Sequence, residues 1–153
     1  MRLRPRQKVF VERSLAALAK NGNTLGIAPT GAGKTIMLSA LAGEAIGDTA
    51  AKACVLAHRD ELTSQNRDKF ARVNPGLTTS VVDANTKNWS GQATFAMVPT
   101  LARPANLASM PKLDLLVIDE AHHAVAASYR RIIDRVRDAN PDARIFGVTA
   151  TPN

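Results

Sequence analysis

The chain has 153 residues, of which 45% are hydrophobic and 22% charged, with a formal net charge of +7. This composition excludes intrinsic disorder, and a chain of this length is expected to bury one core without a structural metal. The single cysteine, Cys54, excludes an internal disulfide and a cysteine-based zinc cluster, which favours a reducing, cytoplasmic compartment. No apolar run approaches the roughly 18 residues of a membrane span, and Glu12 interrupts the short apolar run that follows the basic start. We therefore expect a soluble protein of one domain, residues 1–153.

The positive charge is concentrated at one end of the chain. Residues 1–20 hold six lysines and arginines and one acid, so this segment carries +5 and the remaining residues carry +2. The cluster fits either an arm that contacts nucleic-acid phosphates or a solvated terminal helix, and the solvated helix is the favoured interpretation. Aromatic residues are only 4% of the chain and are scattered, which argues against a module that binds single strands by base stacking.

Short β-branched runs alternate with longer amphipathic segments, a pattern typical of an α/β fold. Strands are predicted over residues 24–28, 53–57, 78–82, 94–98, 113–118 and 144–148. Helices are predicted over residues 5–20, 34–46, 60–73, 100–107 and 121–139. Asp60 is the expected N-cap of the third helix. Because strands joined by crossover helices run parallel, we expect one mostly parallel sheet with helices on both faces.

A glycine-rich turn lies between the first predicted strand and the second predicted helix, where residues 28–35 read Ala-Pro-Thr-Gly-Ala-Gly-Lys-Thr. Glycines let successive backbone N–H groups converge on phosphate oxygens, and the helix N-terminus adds partial positive charge. Lys34 would reach the β- and γ-phosphates of ATP, and the Thr35 hydroxyl would bind Mg²⁺. Ala28 stands where the general pattern has its first glycine, so the strict pattern is missed by one residue. The other predicted phosphate-binding residues are Thr30, Gly31, Ala32 and Gly33.

Two adjacent carboxylates, Asp119 and Glu120, follow the apolar run at residues 115–118. A strand that ends in acids places them at the carboxyl edge of the sheet, where open α/β sheets bind ligands. Asp119 is predicted to hold Mg²⁺, and Glu120 is predicted to orient and deprotonate the attacking water. Acids at this place also serve as helix caps, so the phosphate loop is what favours the catalytic interpretation.

Three segments, in this order, resemble motifs I, II and III of superfamily 2 helicases of the DEAD/DEAH-box, restriction-subunit-like type. They are residues 28–35, Asp-Glu-Ala-His at 119–122 and Thr-Ala-Thr at 149–151. The resemblance covers nearly the whole chain. It implies a RecA-like P-loop NTPase domain, a three-layer sandwich that binds ATP and Mg²⁺ and forms the N-terminal half of a helicase or translocase.

Shorter segments extend this resemblance. Leu-Arg-Pro-Arg-Gln at residues 3–7 is similar to the adenine-recognition segment of the superfamily, which implies that Gln7, and Arg4 beside it, hold the base. Residues 56–62 look like motif Ia and residues 98–101 like a later strand-contacting motif, which implies nucleic-acid backbone contacts by Arg59 and Thr100. Coupling of the nucleotide state to a neighbouring domain is implied for His122, Thr149 and Thr151.

The family also has a second RecA-like domain with arginine fingers, and residues 1–153 contain no segment of that kind. Because arginine fingers accelerate phosphoryl transfer by orders of magnitude, we expect this chain alone to bind nucleotide weakly and to hydrolyse it poorly. The His-Arg-Asp-Glu-Leu form of motif Ia, residues 58–62, is closer to restriction-subunit and DNA-repair translocases, which favours DNA over RNA.

Two other functions fit parts of the pattern. A stand-alone nucleotide-binding module would need only the phosphate loop, whereas a small kinase is disfavoured by Asp-Glu-Ala-His and by the lack of an arginine-rich lid. His58 is interpreted as structural support, His123 as a surface residue and Cys54 as an inert buried thiol. A solvated face is the favoured interpretation of four arginines, Arg130, Arg131, Arg135 and Arg137.

Overall fold

A computed structural model describes residues 3–28, 33–47, 50–121 and 126–150 of the protein. The strands are β1 (Asn23–Ala28), β2 (Ala53–Ala57), β3 (Thr79–Val82), β4 (Ala93–Met97), β5 (Leu115–Asp119) and β6 (Arg144–Ala150). The helices are α1 (Pro5–Asn21), α2 (Lys34–Ile46), α3 (Asp60–Val73), α4 (Val98–Leu101), α5 (Pro104–Ala108) and α6 (Ala127–Ala139).

The strands form one sheet in the order β1-β6-β5-β2-β4-β3, and every pairing is parallel. The predicted fold class is confirmed. Because all strands run the same way, their carboxyl ends lie at one edge of the sheet, and the chain segments that follow β1, β2 and β5 leave from that edge. Those segments carry the predicted phosphate loop, residues of the motif Ia segment and Glu120, and Asp119 is the last residue of β5 itself.

Alternate residues of each central strand face two separate cores. Val55 and Val117 face the core that the apolar residues of α1, α2 and α3 complete. Cys54 and Leu116 face the core that α4 and α6 complete. The central strands β2 and β5 are buried along their whole length, which explains their continuous apolar sequence. Burial raises the pKa of the Cys54 thiol, as expected for an inert cysteine.

Three predicted boundaries are wrong in detail. Asp60 is the first helical residue of α3 and not its cap, because the N-cap is Arg59 in extended conformation. There Asp60 can still interact favourably with the helix dipole. The helix predicted over residues 100–107 is two short helices, because the residue before Pro104 is held extended, with φ −66° and ψ 136°. The last helix begins only at Ala127, after an extended Ala126, and residues 122–125 lie outside the described part of the chain.

The α6 arginines are mostly solvated, as expected. Arg130, Arg131 and Arg137 are exposed. Arg135 differs, because its Nε donates to the carbonyl oxygen of Leu107 at 3.2 Å and thereby fastens α6 to the end of α5. None of the helices in the described part of the chain has the length and apolar character that a bilayer span requires.

Candidate nucleotide-binding site

The structure brings Lys34, Asp119 and Glu120 into direct contact at the carboxyl edge of the sheet. Lys34 is the first residue of α2 and Asp119 is the last residue of β5. Lys34 Nζ lies 2.6 Å from Asp119 Oδ1 and also donates a hydrogen bond to Glu120 Oε1. The Asp119 side chain is 1% exposed, whereas that of Glu120 is 24% exposed. One acid is therefore buried against the lysine, and the other has access to water.

The charges of this cluster hold the lysine in its protonated form. Burial alone would lower the pKa of Lys34, but contacts with Asp119 and Glu120 outweigh it and raise the pKa above its usual value. At neutral pH Lys34 is consequently protonated and lies between two acidic side chains. An anionic ligand that binds Lys34 in place of the two acids would leave the carboxyl groups of Asp119 and Glu120 able to bind another cation.

A residue that the sequence analysis did not select holds the buried acid from its other side. Asn66 of α3 is 1% exposed, and its Nδ2 donates a hydrogen bond of 3.1 Å to Asp119 Oδ2. The sequence carried a signal for it, because Asn66 lies on the stripe of α3 that also contains the buried Thr63 and Phe70. A polar residue on a buried helical stripe needs a hydrogen-bond partner in the interior.

Glu120 has an unusual backbone conformation, with φ at 57°. A residue with a Cβ in this left-handed region costs about 1–2 kcal/mol relative to the usual helical region. The conformation turns the chain sharply at the end of β5, directly after Asp119. The carboxylate of Glu120 is thereby kept beside Lys34 and does not continue along the strand.

The predicted base-reading segment adjoins the start of α2. Gln7 is 6% exposed, and its Oε1 accepts a hydrogen bond of 2.8 Å from the Arg4 backbone N–H, which closes the first turn of α1. Gly33 has φ 78°, and a Cβ added to it would lie 2.5 Å from Gln7 Nε2. The glutamine amide therefore lies against the last residue of the phosphate loop at a distance that only glycine allows. Arg4 is exposed.

The residues present suit a magnesium ion with a nucleotide. Mg²⁺ prefers oxygen ligands and is usually bound by one or two protein oxygens together with phosphate oxygens and water. Asp119 supplies a fixed carboxylate with one oxygen facing the lysine, and Thr35 lies one residue after Lys34 at the start of α2. We conclude that the donor set fits Mg²⁺, and its occupancy remains a proposal.

The other predicted site residues are distributed along the same edge. Thr149 is in β6, next to Val148, which pairs with Asp119 in the sheet. Arg59 is exposed at the N-terminus of α3, whereas Thr100 in α4 is 4% exposed. Thr30, Gly31, Ala32, His122 and Thr151 lie outside the described residues. The nucleic-acid and coupling roles of these residues therefore stay predictions.

A buried tyrosine lies in the electrostatic field of the same acids. The hydroxyl of Tyr129 in α6 has no hydrogen-bond partner among the described residues, and the side chain belongs to the second core. Burial, followed by the charges of Asp119 and Glu120, raises the pKa of Tyr129 to about 12. Nothing in the sequence distinguishes Tyr129, because a single tyrosine in an amphipathic helix is typical of an ordinary core residue.

A parallel sheet of this strand order, with a lysine at the start of the helix after β1 and paired acids at the end of β5, defines a class of protein. That class is the RecA-like α/β domains, and the lysine and the acids agree with the superfamily 2 helicase resemblance that the motifs carry. The family model described as "Type III restriction enzyme, res subunit" matches residues 1–153, so the chain belongs to that family. The resemblance inferred from the motifs is confirmed.

Individual relatives agree with this class. The chain is 28% identical over 164 residues to the protein named "Putative ATP-dependent helicase IRC3" of Saccharomyces cerevisiae, covering 97% of this chain and 23% of the relative. Its fold matches the helicase domain of Hef from Pyrococcus furiosus with a TM-score of 0.80 at 23% identity, covering 98% of this chain and 33% of that one. It also matches the type ISP restriction-modification enzyme LlaGI, solved with a DNA substrate mimic, with a TM-score of 0.75 at 18% identity over 99% of this chain and 18% of that one. The chain thus spans a third or less of these proteins.

Proposed function

We propose that this domain binds ATP with Mg²⁺ and couples its hydrolysis to movement along, or unwinding of, nucleic acid, with DNA the favoured substrate. The observation that supports this most directly is the contact of Lys34 with both Asp119 and Glu120 at the carboxyl edge of a parallel sheet. One triphosphate and its metal require a cation for the phosphates and carboxylates for the metal and the water within a few ångströms. These three side chains provide that arrangement.

In this proposal the chain's own residues divide the chemistry. Lys34 leaves the acids and contacts the β- and γ-phosphates, while the backbone of the phosphate loop up to Gly33 surrounds them. Asp119 and Thr35 hold the Mg²⁺, which when bound neutralises phosphate charge as a Lewis acid. Glu120, whose carboxylate is 24% exposed, orients the attacking water and accepts its proton.

The family resemblance supports the assignment of residues that contact the nucleobase and residues that communicate with a neighbouring domain. Gln7, with Arg4 beside it, would contact adenine, and the close approach of Gln7 to Gly33 supports a position beside the phosphates. A second RecA-like domain would supply arginine fingers to the same triphosphate. The same resemblance implies that His122, Thr149 and Thr151 report the nucleotide state to that domain.

The preference for DNA has two supports. The motif Ia sequence at residues 58–62 is of the restriction-subunit type, and LlaGI, which shares the fold, was solved with a DNA substrate mimic. Arg59 is exposed at the start of α3 and so is available to a phosphate backbone. Thr100 is buried in this structure, and a contact by its side chain would require local rearrangement of α4.

An ATPase assay tests the proposal. The 153-residue chain and the longest natural form of the protein are compared without nucleic acid and with single- and double-stranded DNA and RNA. We expect nucleotide binding with little turnover by the chain, and DNA-stimulated turnover by the longer form. Nucleotide binding without stimulated turnover in both would instead support a stand-alone nucleotide-binding module, and absence of nucleotide binding in both would refute the assignment of the site.

A further inference from the structure

We propose that Asn66 is a positioning residue that orients the metal-binding carboxylate of Asp119. This inference rests on the proposed function, because it concerns the magnesium site of the same nucleotide. Asn66 is 1% exposed and donates from Nδ2 to Asp119 Oδ2 at 3.1 Å. Asp119 is also 1% exposed, so the bond joins two interior groups.

The two oxygens of Asp119 have different partners. Oδ2 accepts the hydrogen bond from Asn66, whereas Oδ1 faces Lys34 Nζ at 2.6 Å. A carboxylate held through one oxygen cannot rotate freely about its last side-chain bond, so the other oxygen keeps a defined direction. When Lys34 moves to the phosphates, Oδ1 is the oxygen left to face the cation.

An amide is well suited to this role. It donates a hydrogen bond to the carboxylate without adding a positive charge, whereas a lysine or arginine at position 66 would compete electrostatically with Mg²⁺. Leucine has nearly the same size and shape as asparagine but cannot donate. Partners that hydrogen-bond to a metal ligand from behind typically change metal affinity 10- to 100-fold when they are removed.

The helix that carries Asn66 is itself fixed to the other half of the site. At the end of α3, Asn74 Nδ2 donates to the carbonyl oxygen of Ser39 in α2 at 2.9 Å. Its side chain fills the space over Gly43, where an added Cβ would lie 2.0 Å from Asn74 Oδ1. The helix α3 thus contacts both Asp119 and α2, the helix that begins with Lys34. Asn66 therefore lies on a helix that packs against the one that carries Thr35, the other proposed magnesium ligand.

The test measures magnesium dependence separately from nucleotide binding. A fluorescent ADP analogue is titrated into the 153-residue chain and into N66L, first in EDTA and then at a series of Mg²⁺ concentrations. We expect N66L to bind the analogue in EDTA as tightly as the wild type does, but to require about 10- to 100-fold more Mg²⁺ for the magnesium-dependent gain in affinity. Thr63→Val is the matched control, because the Thr63 hydroxyl is a buried donor on the same helix that bonds to Arg59 O at 3.0 Å.

The outcomes separate this inference from the function on which it rests. If Mg²⁺ increases the affinity for the analogue equally in the wild type and in folded N66L, the inference alone is overturned. If N66L loses the same affinity in EDTA and in Mg²⁺, Asn66 has a structural role and the inference is again overturned. If Mg²⁺ does not increase the affinity of the wild-type chain for the analogue, both the proposed function and this inference are contradicted. If circular dichroism shows that N66L does not fold, N66A is measured and the same comparison decides.

Discussion

Lys34 Nζ lies 2.6 Å from Oδ1 of the buried Asp119, so the residue expected to bind phosphate also neutralises a carboxylate of the interior. A buried carboxylate without a counter-charge is costly. The lysine therefore stabilises the fold, and under the proposed function the phosphates of a nucleotide would compete with Asp119 and Glu120 for it. Nucleotide affinity and stability would then depend on the same side chain.

Lys34→Ala is expected to abolish measurable nucleotide binding and to lower the free energy of unfolding. The loss of stability should be about 1–3 kcal/mol, below the range for a fully buried pair, because Lys34 and Glu120 are partly exposed and water screens them. Nucleotide titration and urea unfolding measure the two effects. Lys87→Ala, which removes an exposed lysine from the loop after β3, is the control and should change neither. Unchanged nucleotide affinity in K34A would contradict the assignment of the phosphate site.

Substitutions of Glu120 test its proposed catalytic role and the strain of its backbone separately. Glu120→Gln should keep nucleotide affinity but eliminate turnover in the form that carries the second domain, because the amide cannot accept the proton of water. Glu120→Gly should be more stable than Glu120→Ala by about 1 kcal/mol, because glycine adopts a φ of 57° without the steric cost that a Cβ adds there. Urea unfolding curves of Glu120→Gly and Glu120→Ala measure this difference in the free energy of unfolding. Equal stabilities would show that the left-handed backbone carries no strain, and preserved hydrolysis in E120Q would assign the base elsewhere.

The positions of Lys34, Asp119 and Glu120 could be predicted because they depend on local pattern and on one rule of parallel sheets. Residues that follow different strands meet at the carboxyl edge whatever the strand order is. The bond between Asn66 and Asp119 could not be predicted in the same way. It depends on how far α3 is rotated about its axis when it packs on the sheet, and the packing of Phe70 against Phe95 helps to set that rotation.

The missed boundaries have similar causes. The Asp60 cap was predicted from residue type, but capping also requires the side chain to reach the first backbone N–H groups, and Arg59 occupies the cap position instead. The break between α4 and α5 follows from Pro104, which disfavours a helical conformation of Arg103. Sequence periodicity thus located the elements, while backbone geometry decided where they end.

Arg59→Ala is expected to weaken binding of double-stranded DNA and to reduce the slope of log affinity against log salt by about one counterion. The reason is that Arg59 is exposed at the start of α3, at the edge of the sheet that carries the proposed site. Fluorescence anisotropy at several salt concentrations measures both quantities in the longest natural form. Arg72→Ala, at the exposed opposite end of the same helix, is the matched control. A slope that falls equally in both variants would indicate diffuse charge and not a specific phosphate contact.

Tyr129 is the only tyrosine of the chain, so its ionisation can be followed without ambiguity. Burial, with the charges of Asp119 and Glu120, raises the pKa of Tyr129 from 10.0 to about 12. In the pH range between these values the unfolded chain has lost the phenol proton and the folded chain retains it. The cost of burying tyrosinate is therefore absent below pH 10, and the free energy of unfolding decreases as pH rises from 10 towards 12.

Tyrosinate absorbance in the near ultraviolet checks this prediction. The folded chain should titrate with a pKa near 12, and the chain in concentrated urea near 10. Tyr129→Phe should remove this part of the alkaline loss of stability while changing stability little at neutral pH, because the hydroxyl has no hydrogen-bond partner among the described residues. A folded-state midpoint near that of the unfolded chain would show that the phenol is solvated and lies outside the field of the two acids.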